Sequence, residues 1–200
     1  MRRAINELKV IKLKRLTVGY VKTLYSPIPC PAGSRMPFTA KPLSGLKVIE
    51  LGTLIAGPFA SRICAEFGAD VIKIESPDGG DPLRKWRKLY EGTSLWWFVQ
   101  ARNKKSLTLN LKHPDGLAIL KQLLGEADIL IENFRPGVLE KLGLGWDVLH
   151  ALNPKLVMVR LSGFGQTGPM KDQPGFGAVG ESMGGLRYIT GFEDRPPVRT

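Results

Sequence analysis

Three glycines follow a predicted strand in the segment VRLSGFGQTGP. Gly163, Gly165 and Gly168 have the spacing G-x-G-x-x-G, which is typical of a dinucleotide-binding turn that opens a helix. Two prolines and a glycine among the next seven residues disfavour that helix. Gly185–Thr190 also lacks the acidic residue that would bind a ribose. We interpret the segment as a mobile glycine-rich loop, with a dinucleotide site as the alternative.

Cationic and amide side chains recur at the ends of the predicted strands. These donors are Lys112, Asn133, Arg135, Gln166 and, one helical step further along the chain, Lys141. Ligands of an open parallel sheet bind outside the carboxyl ends of its strands, so the donors are expected to share a crevice. Such groups suit an anionic ligand that carries phosphates. The alternative is that each cation only caps or solvates its own loop.

The elements that must position these donors alternate from Pro42 onward. Apolar segments predict strands at Leu46–Leu51, Ala69–Ile74, Ser106–Leu111, Asp128–Ile131 and Lys155–Leu161. Helical spacing and proline or glycine boundaries predict helices at 56–67, 94–101, 114–124, 136–142 and 146–152. Because helices separate the strands, the pattern predicts an α/β fold with a parallel sheet.

Several side chains are expected in the core. In the first helix, apolar residues recur every fourth position and predict its buried face: Phe59, Ile63 and Phe67. The three aromatic residues at 96–98 are interpreted as core residues rather than a stacking platform. Cys64 is interpreted as a small buried apolar residue. It lies far from Cys30, so the two cysteines have no metal or redox spacing.

The net charge of +11 does not indicate a nucleic-acid partner, because it is concentrated at one end. Residues 1–41 contain nine basic side chains against Glu7 alone, whereas the other 159 residues are only mildly basic. No apolar run approaches the roughly 18 residues of a membrane span. We expect a reducing, cytoplasmic location and no nucleic-acid or membrane partner.

The basic segment 1–41 has three interpretations. It resembles an organellar transit peptide, which would make the protein mitochondrial. It also suits an RNA- or membrane-binding arm. The favoured interpretation is a disordered leader or extra N-terminal sequence ahead of a start at Met36. The folded domain is therefore predicted to begin at residue 42 and to extend through residue 200.

Four motifs together resemble the family III CoA-transferases, which include carnitine and formyl-CoA transferases. They are AGP at 56–58, GADVIKIE at 68–75, RNKKS at 102–106 and ENFRPG at 132–137. The resemblance covers nearly all of residues 42–200. It implies the N-terminal part of a large Rossmann-like α/β domain and an interlocked homodimer. It also implies coenzyme A, acyl-CoA and a carboxylic acid as substrates, with no permanently bound cofactor and no metal.

The resemblance implies a CoA-binding set of eight residues. They are Ile55 and Ala56 at the thioester end, Leu109 and Lys112 at the adenine and phosphates, Asn133, Phe134 and Arg135 at the nucleotide or pantetheine, and Lys141 at a phosphate. Two positions depart from relatives within the family. Ile55 replaces the glutamine of formyl-CoA transferases, which disfavours a formyl or oxalyl substrate. Lys141 replaces an arginine, which keeps the charge but loses the planar fork.

Family members use an aspartate that attacks the acyl-CoA thioester and forms an anhydride, which is covalent catalysis by a carboxylate. By the family's spacing this aspartate falls about six residues beyond Thr200, so the chain by itself is expected to be inactive. Asp172 and Asp194 are interpreted as turn residues without a catalytic role. A related racemase would need a histidine at Phe176, and phenylalanine cannot move a proton. The remaining alternatives are a nucleotide-binding oxidoreductase domain and a non-catalytic binding module.

Overall fold

Six strands form the main sheet of the protein, for which a computed structural model describes residues 18–20 and 41–198. The strands of the main sheet are β1 (Val18–Tyr20), β2 (Lys47–Glu50), β3 (Asp70–Glu75), β6 (Lys104–Thr108), β7 (Ile129–Glu132) and β8 (Val157–Arg160). A separate hairpin contains β4 (Leu89–Tyr90) and β5 (Thr93–Ser94). The order across the main sheet is β1-β6-β3-β2-β7-β8.

Helices connect the parallel strands on both faces of the sheet, and two more follow the last strand. They are α1 (Ala56–Glu66), α2 (Leu95–Gln100), α3 (Pro114–Gly125), α4 (Val138–Lys141), α5 (Trp146–Leu152), α6 (Gly177–Met183) and α7 (Leu186–Ile189). A 3-10 helix spans Pro82–Lys85, and Asp81 caps it by accepting a hydrogen bond from the backbone N–H of Leu83. Among the described residues, none of the helices has the length and hydropathy that crossing a bilayer requires.

The predicted parallel α/β sheet is confirmed. Strands β6, β3, β2, β7 and β8 are parallel to one another, so their carboxyl ends share one edge. Strand β1 pairs antiparallel with β6 at the side of the sheet. Most of the segment 1–41, for which a disordered leader is the favoured prediction, lies outside the described residues.

Two local features differ from the sequence-based expectation. The strand predicted at Ser106–Leu111 spans Lys104–Thr108 instead. It begins two residues earlier because Lys104 pairs with β3 and its ammonium is buried. The hairpin of β4 and β5 was not predicted. Its turn at Glu91 and Gly92 has positive φ angles of 47° and 76°, the left-handed geometry that glycine favours in tight hairpins.

One face of the sheet packs against α3, α4 and α5 through a cluster of leucines. Leu120 and Leu124 of α3, Leu130 of β7 and Leu149 of α5 are all fully buried there. The helix predicted at 114–124 is confirmed as α3. This cluster forms the largest apolar core of the described residues.

The opposite face packs against α1, and the predicted buried face of that helix was wrong. The buried positions of α1 are the small residues Gly57, Pro58, Ser61 and Ala65. The predicted stripe at Phe59, Ile63 and Phe67 lies on the exposed side, with 44%, 37% and 51% of each residue accessible. The sheet surface beneath α1 carries charged side chains, and small helix residues allow the close approach that those charges need.

The aromatic prediction at 96–98 is confirmed for one residue of three. Trp97 is buried with Leu83 and Ala101, whereas Trp96 and Phe98 are exposed. Cys64 is half-buried against the α1 side of the core, and desolvation raises the pKa of its thiol. An ionised thiol is disfavoured there, which agrees with a packing role.

Candidate functional site

A cavity of about 330 Å³ opens at the carboxyl edge of the main sheet. Its walls come from the ends of β2, β3, β6 and β7 and from the chain that leads into the 3-10 helix. This is the edge at which ligands of parallel α/β sheets bind. A second cavity of about 350 Å³ lies at the opposite edge, between Lys47, Asp70 and the Leu123 side of α3.

Three of the eight predicted ligand-binding residues line the first cavity together. Leu109 and Phe134 contribute apolar walls, and Lys112 stands exposed beside them. Leu51 and Ile74 extend the apolar wall from two central strands. The cavity thus combines an apolar wall with an exposed ammonium group, which suits an aromatic ring attached to a phosphate.

Asn133 lies beside this cavity and joins two strand ends. Its side-chain oxygen accepts a hydrogen bond of 2.7 Å from the Thr53 N–H, and its side-chain nitrogen donates one of 2.8 Å to the Thr53 carbonyl. Gly57 packs so close to this amide that an added Cβ would lie 3.3 Å from the Asn133 oxygen. The Asn133 amide therefore holds the loop after β2, whatever it contributes to a ligand.

The other predicted residues lie around the cavity rather than on its wall. Ile55 packs against the cluster of Leu83 and Trp97, and Ala56 is the exposed first residue of α1. Arg135 is exposed in the loop after β7, and Lys141 is exposed in α4. Cavity geometry groups Leu109, Lys112 and Phe134, and it does not bring Arg135 or Lys141 to the same wall.

The glycine-rich segment after β8 does not open a helix, so its interpretation as a loop is confirmed. The next helix is α6, which begins at Gly177. Gly163 packs directly against Gly175, and a Cβ on either residue would overlap the other backbone. Gly165 and Gly168 have φ angles of 79° and 88°, which side chains rarely adopt. Residues 186–189, in the segment where a dinucleotide site would need an acidic residue for the ribose, form the short helix α7.

Glu75 fixes one wall of the cavity, and sequence reasoning missed it. Arg84 donates to its two carboxylate oxygens at 2.7 and 2.8 Å, and Ser106 donates at 2.5 Å. Burial alone raises the pKa of Glu75, but these hydrogen bonds and that from the Asp81 N–H outweigh burial and lower it. The Arg84 guanidinium also lies 3.7 Å from the centroid of the Trp97 ring. The 3-10 helix is thereby fastened to β3.

A second missed feature is a buried group of four charged residues, here called the ion cluster: Glu50, Lys73, Asp81 and Lys104. The Lys73 ammonium lies 2.7 Å from Glu50 and 2.8 Å from Asp81, and the Lys104 ammonium lies 2.8 Å from Glu50. The side chains are at most 2% exposed. The available signal was a charged residue inside each of the apolar strand segments KVIE and DVIKIE.

The pKa values of the two lysines of the ion cluster shift in opposite directions. Desolvation lowers the pKa of Lys104 to about 8, although attraction to Glu50 opposes this change. Desolvation also disfavours the charged form of Lys73, but Glu50 and Asp81 together outweigh it and raise the pKa of Lys73. The difference arises because Lys73 contacts two carboxylates and Lys104 contacts one.

The fold and this edge of the sheet define a class of α/β protein, and comparison with known proteins identifies the family. The model of CoA-transferase family III matches residues 43–200. The chain therefore belongs to CoA-transferase family III. In a solved structure, a CaiB/BaiF family protein from Brucella suis superposes with a TM-score of 0.76 and 38% identity. That superposition covers 81% of this chain and 44% of the other.

Curated relatives carry names that specify acyl donors. The succinyl-CoA–D-citramalate CoA-transferase of Chloroflexus aurantiacus is 58% identical over 160 residues, which are 80% of this chain and 40% of that protein. The human succinyl-CoA:glutarate CoA-transferase is 40% identical over 160 residues, or 80% and 36% of the two chains. The chain thus spans about two fifths of the length of these relatives.

Proposed function

We propose that the protein transfers coenzyme A between an acyl-CoA and a free carboxylic acid, and that residues 42–200 supply much of its CoA-binding edge. The observation that carries the proposal is the cavity at the carboxyl edge of a sheet that belongs to this family. The dinucleotide alternative is not favoured, because no helix begins at the glycine-rich turn in the described segment 161–176.

The cavity walls suggest how each part of coenzyme A would lie. The adenine would pack between Leu109 and Phe134, and Lys112 would donate to a phosphate. The pantetheine arm would pass along Gly52 and Thr53 toward Ile55 and the start of α1. Gly52 and Gly57 pack so closely there that an added Cβ would lie 2.8 Å from the other Cα.

The transfer itself would proceed through the predicted aspartate beyond Thr200. Its carboxylate oxygen would attack the thioester carbonyl, the carbon–sulfur bond would break, and CoA would leave as a thiolate. That thiolate would attack the aspartyl carbonyl of the resulting anhydride, release the first acid and leave aspartyl-CoA. The second acid would enter by the reverse sequence, which divides one difficult transfer into easier steps.

The names of the relatives suggest the substrate class, the assembly and the location. Succinyl-CoA occurs in several of those names together with citramalate, malate or glutarate, so we propose short dicarboxylic acids as donor and acceptor. The family resemblance supports an interlocked homodimer, although malate transferases from Chloroflexus aurantiacus have alpha and beta subunits. Measuring the mass of the assembly by light scattering separates these cases. A cytoplasmic location, or a mitochondrial one if residues 1–41 are a transit peptide, completes the proposal.

Titration of the chain with coenzyme A tests the proposed site. We expect saturable binding that Lys112→Ala weakens roughly tenfold or more, because one charge-assisted hydrogen bond contributes about 1.5–3 kcal/mol. The matched control is Lys155→Ala. Lys155 is an exposed lysine just before β8, at the sheet edge opposite the cavity, so its loss should leave the affinity unchanged. Equal weakening by both variants, or tighter binding of NADH than of coenzyme A, would contradict the proposal.

A further inference from the structure

The ion cluster lies between the sheet and α1, and half of it contributes to the cavity wall. Lys73 and Asp81 reach the cavity, whereas Glu50 and Lys104 do not line it. Glu50 is the centre of the cluster, because its two carboxylate oxygens accept hydrogen bonds from Lys73, Lys104 and Ser61. The charges balance, with two carboxylates facing two ammonium groups.

Every member of the cluster except Glu50 also binds backbone of the β2–α1 junction, defined here as residues 51–58. Lys73 donates to the Gly52 carbonyl at 2.6 Å, and Lys104 donates to the Pro58 carbonyl at 2.7 Å. Asp81 accepts from the Leu54 N–H at 3.1 Å. The junction is thereby held at its beginning, in its middle and at its end.

The middle of the junction adopts a conformation that needs such restraint. Leu54 has a φ angle of 61°, in the left-handed region that residues with a side chain adopt rarely. Its side chain is exposed, so packing does not hold it there. The hydrogen bond to Asp81 and the Asn133 amide on neighbouring Thr53 hold the backbone instead.

A purely stabilising role would not require charges at these positions. Buried ion pairs contribute little net stability compared with apolar side chains of similar volume, because removing the ions from water is costly. The other face of the same strands uses leucine and isoleucine for that purpose. Charged groups instead favour one arrangement of the backbone, because each ammonium can donate only where an oxygen lies within reach.

We propose that the ion cluster positions the β2–α1 junction, so that Gly52 and Thr53 form the cavity wall and Ile55 and Ala56 face the ligand's thioester end. Glu50 and Lys104 are positioning residues that act through the junction. The ligand part of this inference rests on the proposed function, whereas the positioning part concerns the chain without ligand.

A charge-balanced pair of substitutions separates positioning from stability. Glu50→Gln leaves two buried ammonium groups facing one carboxylate, whereas the double variant Glu50→Gln/Lys104→Met leaves one of each. The double variant is expected to recover much of the stability that Glu50→Gln loses. It still removes the donor to the Pro58 carbonyl. Leu124→Ala, on the opposite face of the sheet, is the control for a general loss of stability.

Two measurements are made on the 200-residue chain: amide hydrogen exchange without ligand, and the affinity for coenzyme A. In the double variant we expect exchange at the Leu54 amide to accelerate at least roughly tenfold while Leu120 and Leu130 keep their protection. Affinity for coenzyme A should fall by roughly the same factor. Leu124→Ala should accelerate exchange across the domain without selecting the junction, and its folded fraction should bind coenzyme A normally.

Wild-type exchange at Leu54 in the double variant would overturn the proposal, as would the same selective acceleration in Leu124→Ala. Unchanged affinity in a double variant whose junction has loosened would overturn the link to the ligand. If the wild-type chain does not bind coenzyme A, the proposed function fails, and the exchange measurement still decides whether the cluster positions the junction.

Discussion

The two faces of the main sheet bury opposite kinds of side chain. Toward α3, α4 and α5 the strands present leucine and isoleucine, which pack against further leucines. Toward α1, Val48 and Val71 are followed two residues later in their strands by Glu50 and Lys73, and β6 begins with Lys104, whose ammonium reaches Glu50. The apolar face extends along the strands, whereas the charged groups meet around Glu50, the last residue of β2.

The apolar and the charged side chains of the two faces have different physical roles. Apolar packing is non-directional and favours burial of area, so it stabilises the domain without fixing any one loop. Buried charges are costly unless each finds its partner, so they favour one arrangement of the backbone that supplies those partners. The charged region lies beside the cavity that we propose as the binding site, and the apolar region lies on the opposite face of the sheet.

The largest effect should come from leaving the buried lysines without their central carboxylate. Glu50→Ala is expected to destabilise the chain by about 3–5 kcal/mol, because it leaves buried positive charge unpaired. Leu130→Ala on the apolar face should cost a similar amount, about 2–5 kcal/mol. The two faces differ in their tolerance: Leu130→Met should cost less than about 1.5 kcal/mol, since it conserves volume. Urea unfolding of the four proteins measures these values, and a fully tolerated Glu50→Ala would remove the distinction between the faces.

A smaller effect on the free energy of unfolding is expected from a change of pH. Because burial lowers the pKa of Lys104 from 10.5 to about 8, the unfolded chain binds more protons at this group between those values. The contribution of Lys104 to the free energy of unfolding should therefore increase as pH rises through that window. Lys73, whose pKa is raised, contributes its opposite change only above 10.5.

Urea unfolding at pH 7.5 and 9.5 checks this prediction, with Lys104→Met as the reference. The wild-type chain should gain stability relative to the variant at the higher pH. Lys105→Met is the control, because Lys105 is exposed and paired with Asp70. A relative loss of stability at pH 9.5 would show that the charged form of Lys104 is the favoured one in the fold.

The smallest effect should come from the exposed side of α1. Phe67→Gln is expected to change the stability of the 200-residue chain by no more than about 0.5 kcal/mol, because the ring is about half exposed. Ala65→Leu, on the buried side of the same helix, should cost about 1–3 kcal/mol by overpacking. Thermal unfolding compares the two. A larger loss from Phe67→Gln would mean that the apolar stripe is buried after all.

The α1 stripe and the ion cluster show where sequence reasoning failed. Period-four spacing of Phe59, Ile63 and Phe67 correctly predicts a helix, but it cannot tell which surface of that helix meets the sheet. Charged residues inside KVIE and DVIKIE have the alternation of a strand, and alternation does not say whether the second face meets water or another helix. Lys104 was excluded from its strand for the same reason.

The sequence by itself determined the alternation of the parallel strands with helices and the edge at which Lys112 lies, whereas Leu109 and Phe134 were placed there only by the family resemblance. The alternation and the edge follow from local periodicity, from turn residues and from the few ways in which alternating elements can pack. Only the tertiary structure decided that α1 turns its small residues inward, that Glu50 pairs with Lys73 and Lys104, and that Asn133 holds Thr53. Those contacts join residues between 11 and 80 positions apart, and no local pattern encodes which distant charge or amide will be the partner.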